Sequence, residues 1–167
     1  MYNVTITDEA VDEIDNHTTD SERQLVVTSV GNFSNDPEIK LHFLENNTLS
    51  KFYVVEGEEF NLSDEDGVWL DIRFADAQNL SVGDNITFKF NGITIEKEIK
   101  GIGYSPEYVY EASPTAVRPD FRDMGVAYMS YKAFPTDIRY NVLLVKFNQN
   151  PDDFKSYLDD NVDYLSF

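Results

Sequence analysis

The chain has no cysteine among its 167 residues, which excludes a disulfide framework, a thiolate metal site and a cysteine nucleophile. Histidine is nearly absent as well, with only His17 and His42. A Ser-His-Asp set needs a histidine to take the proton. His17 lies in a polar run, His42 stands among Leu41, Phe43 and Leu44, and there is no Gly-x-Ser-x-Gly elbow. Both histidines therefore read as structural. The close His or Cys spacing that zinc requires is missing too.

Positive charge is scarce. Lysine and arginine number 13 against 31 aspartates and glutamates, a formal net charge of -18. Cations such as Arg118, Arg122 and Arg139 are scattered rather than gathered into a patch, so nucleic acid is excluded as a partner and anionic lipid headgroups are repelled. The acidity reads first as a well-solvated surface and second as an attraction for a cationic ligand such as a basic peptide.

Long apolar runs are missing. No segment approaches the roughly 18–20 apolar residues that span a bilayer, and Met1-Tyr2-Asn3-Val4-Thr5 shows no basic region leading into an apolar one. Met1 opening directly into an alternating run, and Phe167 closing abruptly, read as edges cut from a longer chain.

What is present is a substantial core. Hydrophobic residues make up 41% of the chain and aromatics 14%, with 12 Phe and 10 Tyr, enough apolar surface to offset the entropy of ordering the chain. The length fits one domain, residues 1–167, or two lobes sharing a core: 56–135 as a β-rich insert and 1–55 with 136–167 as an α/β base.

Residues 2–7 alternate and predict a strand, followed by a short helix with Ala10, Val11 and Ile14 on one side. The run 16–22 is polar and reads as a loop, 24–30 as a buried strand, 31–37 as a turn and 51–55 as another strand. After the turn 63–67 comes the apolar Val68-Trp69-Leu70. Leu70, Phe74 and Ala77 then share one face of a short helix by their i, i+4, i+7 spacing. A turn at 81–84 leads into the alternating Ile86, Phe88 and Phe90. Asn91-Gly92 before Ile93-Thr94-Ile95 is a hairpin signal, because both residues tolerate positive φ. The run 140–147 predicts a buried strand. Asn150 caps the helix that follows, Pro151 opens it and Asp152 and Asp153 favour its positive end, with Phe154, Tyr157 and Leu158 as the buried stripe. The fold class is α+β, mainly antiparallel strands with a few short helices packed on them.

The motif search excludes more than it finds. Asp64, Glu65 and Asp66 before Gly67 invite a calcium reading, yet with Gly67 at the sixth position of an EF-hand loop the first falls on Leu62 and the twelfth on Arg73, neither a ligand. The stretch reads as an acidic turn. Carboxylate pairs for glycoside hydrolysis can be drawn from any of 31 acids and so mean nothing. Gly101-Ile102-Gly103 lacks the third glycine of a nucleotide loop and marks a bulge or close backbone approach in a strand. Asn-x-Ser/Thr sequons at Asn3, Asn16, Asn32, Asn46, Asn61, Asn79 and Asn85 read as chance in a chain rich in those residues.

One stretch carries a resemblance. Val68-Trp69-Leu70-Asp71, then Phe74-Ala75-Asp76-Ala77, then Asn79-Leu80-Ser81-Val82-Gly83-Asp84-Asn85-Ile86-Thr87 follow one another as strand, helix and Gly-Asp turn into a strand. Ile99-Lys100-Gly101-Ile102-Gly103 then runs into Ser105-Pro106-Glu107-Tyr108-Val109-Tyr110. In this order the features resemble the outward-facing domain of FtsX-like, MacB-type ABC-transporter permeases. The Ser-Pro-Glu-Tyr run is the most specific of them. Val55-Glu56-Gly57-Glu58-Glu59-Phe60 and the run 140–158 extend the match, and the first 50 or so residues carry least of it.

The resemblance implies a non-catalytic domain set between two membrane helices on the extracytoplasmic side, without cofactor or metal. It would be coupled through those helices to the rest of the permease and a cytoplasmic ATPase, dimeric in the full transporter, and would handle or export a peptide, lipoprotein or antibiotic cargo. It assigns no catalytic or substrate-binding residue. The alternative is a surface binding or adhesion module for carbohydrate or protein, with Trp69 and the tyrosines Tyr104, Tyr108, Tyr110, Tyr128 and Tyr131 as stacking platforms. As packing residues they would instead leave only their hydroxyls wet.

Overall fold

Alternation along single strands sorts the apolar residues onto two faces. In a computed structural model of the chain, which describes residues 5–14, 17–108, 120–147 and 150–161, eight strands are assigned: β1 (Thr18–Gly31), β2 (Glu38–Leu44), β3 (Tyr53–Gly57), β4 (Gly67–Asp71), β5 (Asn85–Phe90), β6 (Ile93–Tyr104), β7 (Met124–Ser130) and β8 (Val142–Phe147). Three helices join them: α1 (Asp8–Ile14), α2 (Ile72–Gln78) and α3 (Pro151–Asn161).

The pairings return to their start. β2 pairs β7, β7 pairs β4, β4 pairs β6, β6 pairs β5, β5 pairs β1 and β1 pairs β2 again. Val30 of β1 faces Glu38 on one side and Lys89 on the other, so the six strands close a ring. Among the described residues only the β2–β7 and β4–β6 pairings are parallel. The two long strands each serve two neighbours on one edge: β1 takes β8 and then β5, and β6 takes β5 and then β3. The fold is thus α+β and mainly antiparallel, as the sequence predicts.

The larger core gathers one face: Ile39, Leu41 and Phe43 of β2, Val68 and Leu70 of β4, Ile86, Phe88 and Phe90 of β5, Ile95, Ile99 and Ile102 of β6, and Ala127 and Met129 of β7. The intervening residues Leu44, Trp69, Val126 and Tyr128 form a second cluster with Phe52 on the opposite face. Every residue of β4 is consequently buried. α2 follows β4 directly. The Asp71 carboxylate accepts from the Arg73 N–H at its start, and Phe74 and Ala75 enter the larger core. The Phe74 ring lies where a side chain on Gly125 would stand, 2.6 Å from an added Cβ.

Local signals mostly hold. Asn91 and Gly92 take φ of 48° and 77° in the β5–β6 hairpin. Asn150 accepts from the Asp152 N–H at the start of α3, and Ile14 is the buried residue of α1. The first predicted strand is a correction: residues 2–4 lie outside the described residues and 5–7 are not strand, although the Ile6 N–H donates to the Tyr140 carbonyl. Most of the predicted loop 16–22 is instead the start of β1, because β8 supplies a partner for its polar residues. Leu70 belongs to β4 rather than to the face of α2, and the strand at 140–147 is half-buried at the rim rather than fully buried. β2 and β7 were not foreseen.

Candidate functional site

On the outer face of β2, His42 sits at the centre of a buried polar network. The alternation that sends Leu41 and Phe43 into the main core turns His42 the other way, where the turn Pro106–Tyr108 and the second cluster cover it to 2% exposure. Its Nδ1 lies 2.8 Å from Gln24 Oε1 on β1, and its Nε2 lies 2.7 Å from the Tyr108 hydroxyl. Gln24 Nε2 in turn donates to Glu107 Oε1 at 3.0 Å. The ring stacks on Tyr128 of β7 at 4.7 Å and meets Tyr108 edge-on at 5.5 Å.

The bonds determine the tautomer. With the Gln24 amide N–H groups facing a carboxylate, its carbonyl oxygen must accept, so His42 carries its proton on Nδ1 and Tyr108 donates to the bare Nε2. Burial, with a smaller effect from the Lys40 charge, pushes the imidazole down to about 3, so it is neutral at ordinary pH. Burial also raises the Glu107 carboxyl, against the lowering effect of its bond to Gln24, and holds the Tyr128 phenol above its ordinary range.

The network extends toward solvent. Arg73 Nη2 donates to the Tyr108 carbonyl at 3.0 Å and to Asp71 Oδ2 at 2.6 Å, its Nε donates to Asp71 Oδ1 at 2.9 Å, and its guanidinium lies 4.7 Å over the Phe121 ring. A small cleft of about 40 Å³ opens there between Lys40, Asp71, Arg73, Tyr108 and Phe121. The imidazole is buried and bonded at both nitrogens. Its chemistry here is to tie β1, β2 and β7 to the turn after β6.

The other sequence candidates are dispersed. His17 stacks on Tyr157 of α3 at 4.0 Å. Asp64 Oδ1 accepts from the backbone N–H groups of Asp66 and Gly67 at 2.8 and 2.6 Å, the acidic-turn reading; among the described residues no cluster of three or more ligating side chains is assembled. Gly101 and Gly103 stand at close backbone approaches, beside Trp69 and the Tyr53 carbonyl respectively. Trp69 is fully buried, its Nε1 donating to the Glu58 carbonyl at 2.8 Å, so it is no stacking platform. Tyr128 is buried, Tyr131 is half-buried and Tyr104 is 49% exposed. Tyr110 lies outside the described residues.

Sequence reasoning missed Gln24 as a partner of His42. It quoted Glu107 and Tyr108 only as parts of the Ser-Pro-Glu-Tyr run, which now has a physical meaning: Pro106 follows the end of β6 and opens the turn, and the next two side chains reach back to Gln24 and His42.

No protein-family model matches the sequence, and no curated protein is significantly similar to it. Solved structures are similar. The extracellular domain of the noncanonic ABC-type transporter YknZ from Gram-positive bacteria aligns over 96% of this chain and 86% of its own, with a TM-score of 0.61 at 16% identity. The periplasmic region of MacB from Actinobacillus actinomycetemcomitans aligns over 96% of this chain and 73% of its own, with a TM-score of 0.57 at 12% identity. This chain has the fold of the extracytoplasmic domains of MacB-type ABC-transporter permeases.

Proposed function

We propose that this chain is the extracytoplasmic domain of a bacterial ABC-transporter permease, itself non-catalytic, which couples cytoplasmic ATP hydrolysis to the handling or export of a peptide, lipoprotein or antibiotic on the outer face. The observation that carries the reading is the correspondence of fold along nearly the whole chain with two such domains. The independent match of motif order from Val68 to Tyr110 supports it. The full protein sits in the cell membrane and works as a dimer with its ATPase, and the outward domain moves as the membrane helices rearrange. The reading takes residues 1–167 as one unit, which the β1–β5 and β2–β7 pairings support by joining the segments 1–55 and 56–135.

Among the described residues no helix is long and apolar enough to cross a membrane, so the reading depends on the surrounding reading frame. Sequencing that frame tests it. Apolar segments of about 20 residues on both sides, with further ones beyond the second, are expected; a signal peptide followed by a cell-wall anchor overturns the reading in favour of an adhesin.

A further inference from the structure

Among the described residues five large apolar side chains are left in solvent, and three of them lie together. Tyr53, Val55 and Tyr104, exposed by 46%, 59% and 49%, lie where β3 pairs the end of β6. Tyr53 and Tyr104 are cross-strand partners whose rings stack, with centroids 5.7 Å apart and planes within 22°, so that each ring keeps one outer face. Lys51 Nζ already lies 5.6 Å from the Tyr53 centroid, so this aromatic face accepts a cation. No cation among the described residues covers Tyr104. Glu56, Glu58 and Glu59 continue the same edge into solvent. The Glu58 backbone is pinned between the Lys100 carbonyl and the Trp69 indole, which holds this acidic segment in place.

Among the described residues β3 pairs only with β6, and its ladder is interrupted at Val55, the extra residue between the Val54–Gly103 and Glu56–Ile102 pairs. A bulge at an edge obstructs regular strand addition. A partner is therefore held here by side chains rather than by a continued ladder.

We propose that the Tyr53–Val55–Tyr104 face, with the glutamates beside it, is a docking surface for a basic segment of a partner protein that alternates cationic and aliphatic side chains. A guanidinium or ammonium lies on the free face of Tyr104, an aliphatic group covers Val55, and further cations meet Glu56, Glu58 and Glu59. The argument for a basic occupant is charge: the surface sits in a chain of net charge -18 and adjoins three carboxylates, so an acidic partner is repelled. A carbohydrate also stacks on tyrosine, but the adjoining carboxylates and the cation already seated on Tyr53 favour the basic segment. The surface does not depend on the transporter reading, which the flanking reading frame tests separately.

The test is fluorescence anisotropy of the chain with a labelled peptide of alternating arginine and valine, and with its glutamate-for-arginine counterpart, at about 50 and about 500 mM NaCl. The arginine peptide is expected to bind and the glutamate peptide not, with affinity falling at least about tenfold at the higher salt. Tyr104→Ser and Tyr53→Ser are each expected to weaken binding about five- to tenfold with an unchanged circular dichroism spectrum, while Met124→Ser, exposed elsewhere, leaves it unchanged. No binding of the arginine peptide overturns the proposal, as does equal binding by the folded double tyrosine variant. Tyr104-dependent binding of soluble glycans with none of the peptide replaces it with a carbohydrate site.

Discussion

The indole of Trp69 lies against the backbone of Gly101: a Cβ added to that glycine would stand 2.4 Å from Trp69 Cδ1 and 2.7 Å from Nε1. β4 and β6 run parallel there, and the pairing slips by one residue between Val68 opposite Ile99 and Trp69 opposite Gly101, leaving Lys100 unmatched. The slip lets Ile99 and Ile102 both face the main core, and the missing side chain makes room for the largest residue of the second cluster.

Gly101→Ala is expected to lower stability by about 1–3 kcal/mol, the usual cost of forcing a methyl group into a packed interior, read as a lower urea midpoint at unchanged slope. Trp69→Phe alone loses the bond to the Glu58 carbonyl. Combined with Gly101→Ala it should cost less than the sum of the two, since the smaller ring relieves the clash. Strict additivity would show that Trp69 is not what Gly101 accommodates.

His42 makes stability depend on pH in a stated direction. Its folded value is depressed from 6.5 to about 3, so between those limits the unfolded chain binds a proton that the folded chain does not. Its contribution is present above pH 6.5 and is lost as pH falls toward 3, at up to about 1.4 kcal/mol per pH unit. Glu107 acts oppositely: its raised carboxyl contributes in acid and loses that contribution as pH rises through the folded value. Urea melts from about pH 7 down to about pH 4 should show a shallower fall in His42→Asn than in the parent, and a steeper one in Glu107→Gln. An equal slope in parent and His42→Asn rules out a neutral buried imidazole.

Asn79, read in the sequence as a chance sequon, closes α2 in the left-handed region with φ 55° and ψ 46°. Asn79→Gly should leave the thermal midpoint unchanged or slightly raised, and Asn79→Val should cost about 1–2 kcal/mol, because a branched side chain is disfavoured there. Equal midpoints for the two variants would show that the cap carries no strain.

Glu22 is 1% exposed, and its Oε2 accepts from the N–H groups of Thr48 and Leu49 at 3.0 and 2.9 Å and from the Thr48 hydroxyl at 3.3 Å. Glu22→Ala strands those donors and should cost about 2–4 kcal/mol, with faster proteolysis near Thr48. Glu22→Gln keeps an acceptor and should be the milder change by thermal melt; the reverse order would disprove the anchoring role.

Legibility followed the range of the interaction. The β5–β6 hairpin, the opening of α3 and the α1 stripe were readable because neighbouring residues decide them. The polar stretch from Thr18 to Glu22 was not, since a strand of that composition forms only where β8 lies beside it. Neither was the His42 network, whose members Gln24, His42, Glu107 and Tyr128 come from four separate segments.

The sequence by itself determined the β5–β6 turn, the Asn150 cap of α3, the acidic balance and the order of motifs from Val68 to Tyr110, because these depend on φ preferences, dipoles and composition. The tertiary structure decided which face each apolar run presents. An apolar triplet such as Val68-Trp69-Leu70 carries no record of its neighbours. The parallel pairing of β4 with β6 and the ring closed by β1 and β2 buried Trp69 and enclosed His42, and the pairing of β3 with the end of β6 set Tyr53 beside Tyr104 in solvent. Burial is set by long-range pairing, and long-range pairing is what a local pattern cannot specify.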